Sequence, residues 1–164
     1  MNGDPVNDVY GGLRQQVFDL DPAAIGLEPT AQLPRVWAAM MDLALTAGTA
    51  TLLSVADGTT SLYTSAGGGV IGGGAHAEVV AATTAFLGVI DAHLDHIPAT
   101  ADTSLPVPGR VVLRAMGYHG PHAADVSEAE LESGEHPLSP VFVAAHDVIT
   151  ELRLLSTVDQ PDEE

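Results

Sequence analysis

Apolar residues recur at helical spacing in some stretches of this chain and alternate with polar ones in others, and that contrast sets the expected elements. After Leu33-Pro34, the run from Arg35 to Leu45 places Val36, Met40 and Leu43 on one stripe with Trp37 beside them, which predicts an amphipathic helix of about three turns. Gly48 is expected to end it. Thr49 to Ala56, rich in threonine, leucine and valine, reads as a strand. Asp57-Gly58 follows, a turn pair in which both residues tolerate positive φ, and Thr59 to Ser65 returns as the partner strand. A long helix is predicted from His76 to His96, with Val79, Val80, Thr83, Phe86, Leu87, Ile90, Leu94 and Ile97 recurring at its period and Pro98 stopping it.

Beyond the proline-containing linker Ala99 to Pro108, Arg110 to Tyr118 reads as a third strand, Gly120-Pro121 as a turn and His122 to Val126 as a fourth strand. The acidic stretch Ser127 to Gly134 predicts one helical turn. Pro137 to Leu155 closes with a helix whose apolar face is Val141, Phe142, Ala145, Val148, Ile149 and Leu152. Residues 1–33 read as a loosely ordered lead-in with a short helix over Leu13 to Leu20, residues 34–156 as a single domain, and residues 157–164 as an acidic tail. A hairpin followed by a helix does not build a doubly wound parallel sheet, because parallel neighbours need crossover connections. The expected class is therefore α+β: an antiparallel sheet of four to five strands with helices packed on it.

Composition narrows the function. Aspartate and glutamate number 22 against five arginines, with no lysine, and the formal charge is -17. Such a charge repels phosphate backbones, so nucleic acid is not an expected partner, whereas a protein with a basic surface is. The missing lysine excludes a P-loop and a Schiff base, and the missing cysteine excludes disulfides, thiolate nucleophiles and cysteine-ligated zinc. The longest apolar stretch, Val79 to Ile90, falls well short of the roughly 20 residues that span a bilayer. Met1 to Gly12 is polar without a basic start, so no membrane association is expected and the expected compartment is the cytoplasm.

The candidate chemistry is sparse. Gly67, Gly69 and Gly72 fit G-x-G-x-x-G on paper, but the strand before them comes from a tight hairpin, and Asp91, at the distance of the acidic ribose ligand, lies inside the long helix. What survives is an anion site: Gly69, Gly72, Gly73 and Gly74 precede a helix N-terminus, where free amides hold a phosphate or carboxylate. The competing reading is that these glycines only let the chain turn and pass close to the sheet. His93 with His96 and His119 with His122 are spaced for two metal ligands each, but zinc needs three or four converging groups, so no metal is assigned. No serine sits in a G-x-S-x-G elbow, and Glu128, Glu130 and Glu132 read as a solvated face, so no catalytic residue and no cofactor are assigned.

The order of helix, hairpin, long helix, strands and helix resembles the profilin-like folds, and among them the roadblock/LC7-type domains. The residues that carry it are the Ala-Thr-Leu-Leu-Ser-Val-Ala-Asp-Gly hairpin within Thr49 to Ser65, the helix from His76, the strand from Arg110 and the last helix from Pro140. The resemblance covers about residues 34–156. It implies a small non-enzymatic scaffold that dimerises and binds partners, including regulators of small GTPases, and it transfers no binding residue. The glycine-rich Gly67 to Gly74 loop and the long Ala99 to Pro108 linker depart from it. The expectation is thus an interaction module, with a small-ligand sensor or enzyme at the glycine loop as the alternative. A homodimer is also expected, because a sheet with only three substantial helices would leave a face or an edge bare.

Overall fold

Val36–Leu45, which the stripe of apolar residues assigns to a helix, is a strand. In the computed structural model of the chain, which describes residues 5–67, 69–71 and 76–158, this segment is β1, the centre of a six-stranded sheet. Alanine, methionine and leucine favour helix in isolation, but an unbroken apolar run also suits a strand buried on both faces. Here tertiary burial decides: Val36 through Asp42 are all buried.

The elements run α1 (Pro5–Asp19), β1 (Val36–Leu45), β2 (Gly48–Val55), β3 (Thr60–Thr64), β4 (Gly69–Ile71), α2 (Ala77–Ala92), β5 (Arg110–Gly117), β6 (Gly120–Ser127), α3 (Glu128–Glu132) and α4 (Ser139–Val158). The sheet is antiparallel throughout, in the order β4-β3-β2-β1-β5-β6. This is the expected α+β class with helices on an antiparallel sheet. The strand count exceeds four to five because the first expected helix is β1 and the glycine-rich segment adds the three-residue β4.

The predicted hairpin is present, with Ala50 opposite Thr64 and Ser54 opposite Thr60. Its turn differs in detail. Val55 N donates to Thr59 O and Gly58 N to Val55 O, both at 2.9 Å, so the loop is three residues long. Gly58 alone takes positive φ, at 98°, and Asp57 uses its carboxylate to receive Thr59 N. The β5–β6 turn lies at Tyr118-His119 rather than at Gly120-Pro121, since Gly117 pairs with Gly120 and Pro121 with Met116. Pro121 is tolerated there because β6 is an edge strand.

Both faces of the sheet carry helices. On one, α2 packs along α4 over Ala39, Met41, Leu52, Val111, Leu113 and Ala115. The expected apolar stripes supply this core: Val79, Phe86, Leu87 and Ile90 from α2, and Val141, Phe142, Ala145, Val148, Ile149 and Leu152 from α4. On the other face α1 sets Val17 and Phe18 against Trp37, Ala38, Met40, Leu53, Val55 and Met116. The lead-in before residue 34 therefore holds a 15-residue helix with a packing role. Asp91 joins the layers at the start of β1, its Oδ2 accepting Arg35 N and Val36 N, each at 2.9 Å. Among the described residues, no helix is long and apolar enough to cross a membrane.

Candidate functional site

The most concentrated chemistry lies between α1 and the sheet. Asp42 on β1 is 0% exposed. Its Oδ1 accepts the Thr51 hydroxyl from β2 at 2.6 Å. Its Oδ2 accepts Arg14 from α1 at 2.8 Å and Arg114 from β5 at 2.9 Å. Thr51 lies directly opposite Asp42 on β2, and on β5 Arg114 lies opposite Met40, two residues along from Val112, the partner of Asp42. Cross-strand register thus brings together three residues that are remote in sequence, and α1 adds the fourth.

The guanidiniums also bind the linker that follows α2. Arg114 Nη1 donates to Asp102 O and Nη2 to Ser104 O, both at 2.6 Å, and Arg14 Nη1 donates to Thr103 O at 3.2 Å. The Phe18 ring faces both cations, 5.1 Å from Arg14 and 5.5 Å from Arg114, within the range of a cation–π contact. Tyr10 closes the far side, its hydroxyl sharing a 2.5 Å hydrogen bond with Thr51 and its ring meeting Tyr63 edge-on. Burial, opposed by the hydrogen bond to Thr51, pushes the Tyr10 phenol up, and burial pushes Tyr63 up further, helped by neighbouring Tyr10 and Asp42. Both phenols therefore stay neutral at ordinary pH. Arg14 Nε and the Tyr63 hydroxyl are buried without a hydrogen-bond partner.

Beside this cluster a cleft of about 520 Å³ opens between α1, the linker and the β5–β6 turn. Phe18, Trp37, Met116 and Tyr118 form apolar walls, and Gln15, Asp102, Thr103 and His122 supply polar groups. The volume lies in the range of ligand pockets. Arg114 reaches its lining but is already committed to Asp42 and two carbonyls. Asp102 is held below the usual carboxylate range by hydrogen bonding from Ser104.

Of the glycines assigned to the anion site by sequence, the structure describes Gly69. Gly69 begins β4 opposite Tyr63, so its place is in the sheet. Gly72, Gly73 and Gly74 lie outside the described residues. His93 Nδ1 contacts Val89 O within its own helix at 2.7 Å, and His122 Nδ1 contacts Ile97 O at 2.9 Å, tying β6 to the segment after α2. Among the described residues, no group of three or more histidine, aspartate or glutamate side chains is arranged to hold a metal ion. Sequence reasoning passed over Asp42, Arg14 and Arg114. The available signal was a single acid inside an otherwise apolar run, together with two of only five arginines.

Comparison with protein-family models, with curated proteins and with solved structures returns no match.

Proposed function

We propose that this chain is a non-enzymatic interaction module that associates with a protein presenting a basic surface, a role of the kind expected from its resemblance to profilin-like and roadblock-type domains. The observation that carries this reading is where the arginines are spent. Arg14 and Arg114 are buried on Asp42, Arg35 pairs with Asp91 and Asp95, and Arg110 pairs with Asp125. Four of the five cations in a chain of charge -17 are thereby matched internally. Among the described residues most of the other acidic side chains are exposed, and in a chain of this charge they steer cationic partners while repelling anionic ones. The buried charges, for their part, join elements rather than face a substrate.

The expected homodimer rested on a bare sheet face or edge; helices cover both faces, which leaves pairing at a sheet edge as the form a dimer would take. The test is recovery of partners from source cells on the tagged chain at low salt, followed by reconstitution from purified components. A defined complex with a protein of basic surface supports the module. Recovery of an acidic partner, or of nucleic acid, contradicts it.

A further inference from the structure

We propose that α1 is a latch: it leaves the sheet without global unfolding, and the face it vacates receives an arginine-bearing helix from a partner. Gly11 and Gly12 stand side by side within α1. Neither takes positive φ, and a Cβ added at either would meet nothing within 4 Å. Neither backbone geometry nor close packing calls for glycine there, yet each glycine weakens the helix relative to alanine. A helix of this length is already marginal without tertiary support. Its persistence therefore depends on its seat.

That seat joins an apolar cluster to a polar group around Asp42 and Thr51. Among the described side chains of α1, Tyr10, Arg14 and Val17 form the buried stripe, at spacings of four and three. Two of these three anchors hold through hydrogen bonds, Tyr10 to Thr51 and Arg14 to Asp42 and Thr103. Arg14 Nε and the Tyr63 hydroxyl gain no partner in the docked state, and a desolvated donor without an acceptor counts against docking. The connector from residue 20 to residue 35 is largely exposed, with Leu20 and Leu27 as its partly buried contacts to the same cluster, and its length lets the helix move away without disturbing β1.

The chemistry of the vacated face names its occupant. Trp37, Met40, Leu53 and Met116 form the apolar part of that face, and the Asp42 carboxylate on the same strand as Trp37 and Met40 accepts from one guanidinium supplied by α1. An incoming helix must replace that guanidinium and add apolar contacts one turn to either side, and a cationic segment is drawn to a chain of charge -17. The identity of this occupant rests on the interaction-module reading. The release of α1 does not.

Hydrogen exchange on the full chain tests the release. Amides of α1 should exchange at least about a hundredfold faster than those of Met40 to Leu43, and G11A with G12A should slow α1 roughly tenfold without changing β1. Exchange of α1 as slow as that of β1 overturns the latch. A labelled peptide of residues 5–20 carrying both alanines then tests the face. It should bind the Arg14→Ala chain about tenfold more tightly than the unsubstituted chain and alter emission from Trp37, the sole tryptophan. The same peptide with glutamine for its arginine should not bind. Equal binding to both chains, or binding that survives loss of the peptide arginine, overturns the assigned occupant. Either failure leaves association with a basic partner to be judged by its own test.

Discussion

Asp42 is the residue whose loss the molecule should tolerate least. With its carboxylate gone, Arg14 and Arg114 are left buried with no counter-charge, and breaking such a cluster from one side costs about 3–5 kcal/mol. Asp42→Asn should therefore lower the urea midpoint sharply or prevent folding. Thr51→Val, which removes a neutral donor to the same carboxylate, should cost about 1 kcal/mol. His146 gives a pH-dependent counterpart. Burial holds its imidazole below the usual value of about 6.5, with Arg153 adding to the effect and Glu132 and Asp147 opposing it. The folded state thus disfavours the protonated ring, so this contribution to stability is complete above about pH 6.5 and is lost as the pH falls below it. Urea midpoints measured from pH 7.5 to 5.5 should decline less steeply in His146→Gln. The partners of Asp42 were not legible in the sequence, because they lie 28 and 72 positions away and reach it through the docking of α1 and through sheet register.

Elements were legible where local pattern and tertiary demand agree. The Asp57-Gly58 hairpin, α2 and α4 combine turn chemistry or helical periodicity with the burial they receive. The hairpin can be challenged at its tip: Gly58, at φ 98°, should accept valine at a cost of roughly 1–2 kcal/mol, read as a lower thermal midpoint. Asp57→Ala should cost less, since Asp57 contributes one exposed hydrogen bond, to Thr59 N. Where pattern and demand diverge, the sequence misleads. In β1, helix-favouring alanine, methionine and leucine fill a central strand, and in α1 two glycines disguise a helix. The glycine-rich segment illustrates a further limit, for β4 is only three residues long and is defined by pairing with Ser61, Leu62 and Tyr63 rather than by its own residues.

At the scale of the whole molecule, sheet edges and surface charge govern association. The outer side of β6 is guarded along much of its length. Ala123 N donates to Pro98 O and Thr100 N to Pro121 O, each at 3.0 Å, and farther along the Arg110 guanidinium reaches both the carboxylate and the carbonyl of Asp125. Arginine with aspartate serves here as the charged guard that lysine provides in many edge strands. With that edge blunted, β4 short and both faces covered, light scattering at micromolar concentration and moderate salt should report about 16.8 kDa. A mass twice that value would restore the dimer. The charge itself is tested most directly by the salt dependence of the reconstituted partner complex. If outward acidic groups drive recognition, affinity should fall at least about tenfold between 0.05 and 0.5 M salt as the surface charges are screened. An affinity unchanged or strengthened across that range would contradict the account.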